Sequence, residues 1–279
     1  MCFLFLLFAL TASDEATTQI KTSAEGPVRH SEIYLNVTNV ATHKKFWIDA
    51  LGGVPARVGT LDGVRFPGVI IVLNLQPPTG GTKGTSVNHF GFQVPNVHLT
   101  VEKLRAAGYP IITTDEVTSV KPEDVKDDVA YIPNQDANVA FTMGPDQTKV
   151  ELFENKSAQV PIAMHHFHFA SDKAAAVRDW YIRLFGAKPE RHGAYDTAEL
   201  PGVSLRWAVA TTAPAGTRGR TLDHIGFEVV GLERFCEKLA SMGVKFDRPY
   251  SKSTSSDPAS AFLTDPSGTY IELTEGIVK

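Results

Sequence analysis

The chain has 279 residues, of which 43% are hydrophobic and 21% charged, and a net charge of −4. That length leaves room for two ordinary domains or one doubled domain with a substantial core. The mild negative charge and the lack of any Lys/Arg run exclude a nucleic-acid binder, and Cys2 and Cys236 are too few for a disulfide framework.

In chain order, residues 2–10 form a short apolar run followed by Thr-Ala-Ser and a polar stretch to Pro27. The run is too short to span a bilayer and reads as a secretory h-region with a small-residue cleavage zone, though no Lys or Arg precedes it. Residues 1–26 are expected to be a disordered leader outside the fold. The protein is then exported, periplasmic or secreted, with a cytoplasmic protein as the alternative, and no membrane contact is expected beyond that leader.

Past Pro27 the chain resolves into four units. The first opens on Glu32-Ile-Tyr-Leu-Asn-Val37, the second at His89, the third at His165/His166 and the fourth at His224. Each opening is an apolar or alternating run of strand length. Each then passes into a helical stretch stopped by glycine: 40–51 before Gly52, 97–107 before Gly108, 173–185 before Gly186 and 232–242 before Gly243. Leu232, Phe235, Leu239 and Met242 mark the core-facing side of the last one. β-type stretches follow every glycine, so the unit is β-α-β-β-β. The polar stretch Thr113–Asp128 reads as a solvated loop, or else as a lid.

Units one and two recur as units three and four. Asn88-His-Phe-Gly-Phe-Gln-Val-Pro95 matches Asp223-His-Ile-Gly-Phe-Glu-Val-Val230, and Gly144-Pro-Asp-Gln-Thr-Lys-Val-Glu-Leu152 matches Asp265-Pro-Ser-Gly-Thr-Tyr-Ile-Glu-Leu273. A His that opens one strand and a Glu in a later strand, repeated as a pair, suits a metal site built on β-structure. The expected division is a leader at 1–26, an N-terminal domain at 27–157 and a C-terminal domain at 158–279, each of two units.

On these motifs the chain resembles the vicinal oxygen chelate superfamily of glyoxalase I, extradiol dioxygenases and bleomycin-resistance-type proteins, in its four-module single-chain form. The resemblance implies an α+β fold in which β-α-β-β-β modules pair into two cupped, partly open barrel-like domains. It also implies a divalent metal held by residues from the first and last strands of the modules. Matching positions are His89 and His224 in first strands, each 19 residues before its helix-ending glycine, and Glu151 and Glu272 in last strands. In units one and three the corresponding count of 20 gives Glu32 and His166. A one-residue slip would exchange His166 for His165, since strand alternation lets only one face the cup.

The expected metal set is therefore His166, His224 and Glu272, suited to Fe2+, Mn2+, Zn2+ or Ni2+. The N-terminal half offers Glu32, His89 and Glu151 as a second set or a structural relic. Glu228, which shares a face with His224, is a candidate base, and His168, which shares a face with His166, a candidate supporting group. Arg206 and Tyr250 are candidate substrate-binding residues. The third unit's last strand, Gly202-Val-Ser-Leu-Arg-Trp-Ala-Val209, has no carboxylate, which departs from the glyoxalase I pattern. Residues 244–271 have no His, and Phe262 stands where ring-cleaving relatives have Tyr. The expected function is a metal-dependent enzyme of glyoxalase/dioxygenase type (lyase, isomerase or dioxygenase) that binds a small oxygenated substrate and stabilises an enolate-like or anionic intermediate. The alternative is a non-catalytic small-molecule sequestering protein. Either would act as a monomer or homodimer.

Overall fold

The computed structural model describes residues 28–193, 195–254 and 258–277. The expected leader and Cys2 lie outside the described residues. No helix among the described residues is long and apolar enough to cross a membrane.

All four units form. Unit one comprises β1 (Val28–Val37), α1 (Val40–Lys44, continued by a π-helical turn over Lys45–Ala50), β2 (Val54–Val58), β3 (Leu61–Phe66) and β4 (Val69–Leu75). Unit two comprises β5 (Val87–Val94), α2 (Val97–Ala106), the short α3 (Thr113–Glu116), β6 (Ala130–Ile132), β7 (Ala137–Gly144) and β8 (Thr148–Glu154). Unit three runs through β9 (Ala163–Ser171), α4 (Ala174–Phe185), β10 (Lys188–His192), β11 (Tyr195–Leu200) and β12 (Val203–Val209). Unit four runs through β13 (Leu222–Val229), α5 (Leu232–Ser241), β14 (Phe246–Ser251), β15 (Ala259–Thr264) and β16 (Tyr270–Glu275).

The strands make two eight-stranded mixed sheets, which is the α+β architecture expected. Their orders are β14-β15-β16-β13-β1-β4-β3-β2 and β10-β11-β12-β9-β5-β8-β7-β6. Each joins two units back to back through antiparallel first strands, β1 with β13 and β5 with β9. Unit one thus shares a sheet with unit four, and unit two with unit three. Each sheet takes one unit from either half of the sequence, so sheet membership does not follow the expected division at 157/158.

The linkers explain the exchange. The segment after unit one and the segment after unit three cross: Thr79 N donates to Gly219 O (2.8 Å), Thr221 N to Gly80 O (2.9 Å) and Ser86 N to Ala215 O (2.8 Å). Each carries the chain from one sheet to the other. The link after unit two is the eight-residue segment 155–162, and β9 returns beside β5.

Helices cover one face of each sheet. Val177, Tyr181, Leu184 and Phe185 of α4 are buried, as are Leu232, Phe235 and Leu239 of α5, in a core that runs through both sheets. Met242, expected on that face, is 36% exposed, because it sits at the C-cap beyond the last full turn. The helix-ending Gly52, Gly108, Gly186 and Gly243 all have φ between +72° and +84°, the left-handed conformation that ends a helix most cheaply at glycine. The buried His89, Glu151 and His166 gather on one sheet, and Glu32, His224 and Glu272 on the other.

Candidate metal centres

One backbone irregularity recurs in every unit. Where β1 meets β13, the pairing passes from His30↔Phe227 to Glu32↔Gly226 and from Tyr34↔His224 to Leu35↔Leu222. This leaves Ser31 and Asp223 as extra residues. Where β5 meets β9, Val87↔Phe169 is followed by His89↔His168, and Gly91↔His166 by Phe92↔Met164, leaving Asn88 and His165 extra. All four bulges sit one residue before a candidate ligand: Glu32, His89, His166 and His224. A bulge opposes two residues to one and re-aims a side chain. It brings the preceding residue alongside the ligand, where simple alternation would have sent it to the other face.

At the centre between units two and three, here the inner centre, three strands contribute one rung: His166 of β9, Gly91 of β5 and Glu151 of β8. His89 lies two residues before Gly91. Glu151 Oε2 lies 2.8 Å from His89 Nε2 and 3.1 Å from His166 Nε2, and His168 Nδ1 lies 3.2 Å from His89 Nε2. Ligand atoms of all four residues fall within 4.8 Å of one another. The outer Nδ1 nitrogens are engaged by the bulge residues, that of His89 with Asn88 Oδ1 (3.1 Å) and that of His166 with His165 Nδ1 (3.0 Å). Donation from His89 Nδ1 to the Asn88 amide oxygen selects the tautomer whose Nε2 lone pair points into the cluster, and His166 has the same tautomer when its Nδ1 is the donor to His165.

Burial governs the charge here. It pushes His166 and His168 down to about 3 and lowers His89, so these rings are neutral and free to ligate. Burial opposes ionisation of Glu151, but the two imidazoles beside it hold its carboxyl well below the usual range. Neutral imidazole nitrogens beside a buried carboxylate are a donor set that fits a divalent cation. His168 Nε2, buried without a partner among the described residues, is a further open donor atom.

A cavity of ≈ 320 Å³ opens from this cluster. Lys149, Arg206, Tyr195, Gln135 and Phe141 line it, and Val117–Ser119 roof it. The roof belongs to the stretch expected as a solvated loop. Instead Ile112, Val117, Val120 and Val125 pack on Ala130, Ile132, Val139 and Phe141 as a small satellite core. Glu116 fixes it by accepting from Lys83 Nζ and Lys149 Nζ, each at 2.7 Å.

The outer centre, between units one and four, repeats the plan as Glu32 of β1, Gly226 of β13 and Glu272 of β16 on one rung, with His224 two residues before the glycine. Asp223 Oδ1 accepts from His224 Nδ1 at 2.7 Å, which leaves Nε2 facing Glu272 Oε2 at 3.2 Å. Only a cation, proton or metal, satisfies both of those atoms. Burial opposes a charged His224, yet Asp223 and Glu272 outweigh it and hold the ring above its usual value. Burial, and then repulsion from Glu272, raises Glu32 well above the carboxylate range, and its Oε2 is buried without a partner among the described residues. Tyr34 stacks on His224 with ring centroids 4.2 Å apart. Two carboxylates and one imidazole make this the harder donor set of the two.

The structure therefore regroups the expected residues. His224 and Glu272 meet, but His166 belongs to the other centre with His89 and Glu151, and Glu32 takes its place. The reason is the pairing of units across the halves. His165 and His166 lie on the same face because of the bulge, with His166 in the cluster and His165 stacked on Phe153 (4.4 Å) in an adjoining cavity. His168 is a member of the inner cluster itself. Arg206 lines the inner cavity.

Glu228 is not placed as a base. Its carboxylate accepts from Gly276 N (2.7 Å), Ile277 N (3.2 Å) and Thr274 Oγ1 (3.3 Å), so it fastens the C-terminal turn. Tyr250 packs against the apolar core and lines neither centre's cavities, whereas Arg248, two residues earlier, lies 3.6 Å over the Phe262 ring beside His224. Asn88, Asp223, Gly91, Gly226, Lys149 and Tyr195 are site residues that the sequence reading passed over. The first four stand inside the repeated motif, and their role becomes visible only once the bulges are known.

The sequence model described as "Glyoxalase/Bleomycin resistance protein/Dioxygenase superfamily" matches residues 119–273, more than half of the chain. No curated protein sequence matches the chain. Among solved structures, a glyoxalase I mutant from Zea mays is similar with a TM-score of 0.68 and 14% identity over 89% of this chain and 94% of that one. Zea mays glyoxalase I itself is similar with a TM-score of 0.67 and 14% identity over 89% and 92%. At such identity the likeness concerns the fold. With the family match across units two to four and the repeated first-strand and last-strand ligand positions, the chain belongs to the glyoxalase/bleomycin resistance protein/dioxygenase superfamily.

Proposed function

We propose that the protein is a divalent-metal-dependent enzyme of glyoxalase/dioxygenase type whose working site is the inner centre. One observation carries the reading: Glu151 Oε2 lies between the Nε2 atoms of His89 and His166, both rings steered by bulge residues, at the floor of a roofed cavity. His89, His166 and Glu151 would hold the ion, with His168 available as a further ligand or as a neutral base. Such an ion supplies Lewis-acid polarisation of substrate oxygens and stabilises developing negative charge. The chain's own part is to orient the substrate between Tyr195, Gln135 and Arg206 and to limit water entry with the 117–119 roof. The cavity volume suits a small oxygenated molecule.

Metal analysis of the purified protein tests this. Wild type is expected to hold a divalent ion. His89→Ala and Glu151→Ala are expected to lose the inner ion and lower turnover by about a hundredfold or more, while His224→Ala leaves that ion in place. Turnover would be sought against α-oxoaldehyde–thiol adducts and catechols. A wild type with no divalent metal under saturating supply overturns the reading. Metal binding without turnover of any such substrate would favour a sequestering protein.

A further inference from the structure

Two buried cations face the inner cavity, and they differ in one respect. Lys149 is 3% exposed and already paired, its Nζ 2.7 Å from Glu116 Oε2. Arg206 is 5% exposed, and among the described residues no carboxylate forms an ion pair with it. Its Nη1 donates to the neutral Gln135 Oε1 at 3.0 Å, its guanidinium lies 5.4 Å over the Phe153 ring, and its Nε is buried without an acceptor. Removing a guanidinium from water is costly unless an anion answers it, and an orphaned buried N–H adds to that cost. The strand register places Arg206 beside His168, one strand from the metal ligands, and the side chain lines both the inner cavity and the adjoining one beside His165. Glu151 and Glu199 both favour the charged guanidinium without forming an ion pair with it, and Glu199 is engaged by Thr197 Oγ1 (3.0 Å), Ser204 Oγ (2.8 Å) and His192 Nε2 (3.4 Å).

We propose that the inner centre takes an anionic substrate, a small oxygenated carboxylic acid of the 2-oxo or 2-hydroxy class, whose carboxylate is received by Arg206 while its neighbouring oxygens face the metal ligands. Arg206 is then a specificity-determining residue. A guanidinium fork matches a carboxylate with two parallel hydrogen bonds, which Gln135 alone does not use up. The inference rests on the inner centre being the substrate site, but the carboxylate contact belongs to Arg206 and does not depend on the ion.

The test compares pyruvate with pyruvamide, which has the same shape but no charge, by calorimetric titration of the full chain. Both forms are used, metal-loaded and chelator-treated. Pyruvate is expected to bind about tenfold or more tightly than pyruvamide in both forms. Arg206→Gln is expected to abolish that discrimination without changing metal content, and Arg206→Lys to restore only part of it. Equal binding of the two probes by wild type overturns the proposal and needs no variant, so a misfolded Arg206→Gln protein does not rescue it. Discrimination that survives in a folded Arg206→Gln protein also overturns it. A wild-type protein that takes up no divalent metal under saturating supply, yet prefers pyruvate in an Arg206-dependent way, refutes the metal-enzyme reading and leaves the anion site standing.

Discussion

At the scale of single residues, the glycine inside each repeated motif is what allows a centre to form. A Cβ on Gly91 would run into the imidazole of His166, and a Cβ on Gly226 into the Glu32 side chain. Each ligand from the antiparallel strand lies across its glycine to reach the carboxylate on the far side. Gly91→Ala is expected to displace His166, lowering metal affinity at the inner centre by about ten- to a hundredfold while the outer centre is unchanged. Metal titration of the variant checks this, and unaltered inner affinity would refute the crossing geometry as a requirement. The residue scale is also where the sequence was most legible. Glu32, His89, Glu151, His166, His224 and Glu272 all stand out by their spacing, and all six enter one centre or the other. What spacing cannot carry is the bulge, since an added residue looks the same in a sequence as an ordinary strand position. Asn88 and Asp223 therefore read as incidental neighbours of a histidine, and His165 and His166 as rivals for one face.

At the scale of elements, the inner and outer centres differ mainly in what covers them. Unit two inserts α3 and the stretch after it between its helix and β6, and this roofs the inner cavity. The roof's attachment is electrostatic as well as apolar: Glu116, with a side chain 9% exposed, joins the buried Lys149 to Lys83. Burial pulls the Lys149 ammonium below its usual value, with Glu116 opposing that pull. Glu116→Gln would leave Lys149 buried and without its counter-charge. Breaking one half of such a pair is expected to cost about 3 kcal/mol, read as a lowered urea midpoint, and to raise proteolytic cleavage within residues 113–128. A midpoint within error of wild type would show that the satellite core alone holds the roof. The polar composition of this stretch suggested a solvated loop because its apolar residues are spaced without helical or strand period, so only their shared packing on β6 and β7 reveals them.

At the scale of the whole molecule, the four units and their α+β class were legible because each is written locally, as a strand run, a helical run and a stopping glycine. Which unit pairs with which was not, because β1 meets β13 across nearly the whole chain and no local pattern encodes that choice. What makes the choice stable is contact between units one and two across the two sheets, and Asp146 is the clearest instance. From the turn before β8 it accepts from Thr38 N (2.8 Å), Thr38 Oγ1 (2.7 Å) and His43 Nε2 (3.0 Å), while Trp47 Nε1 donates to His43 Nδ1 (3.3 Å). The indole fixes the neutral tautomer of His43, and burial keeps that ring below its usual value. Asp146 also has φ +51°, which Asn tolerates as well as Asp, so Asp146→Asn removes the charge with little backbone strain. Burial opposes ionisation of Asp146, but the bonds from Thr38 and His43 prevail and hold its folded value below that of the unfolded chain. A depressed carboxylate adds stability at pH values above its unfolded value and loses it as pH falls through the folded one. Wild type should therefore exceed Asp146→Asn by about 1–2 kcal/mol near neutral pH and at about pH 5, and the gap should shrink as pH falls below the usual Asp value of about 4. Urea unfolding of both proteins at these pH values measures it. A gap that persists unchanged into acid would assign the stabilisation to the turn's shape and remove the charge from the account.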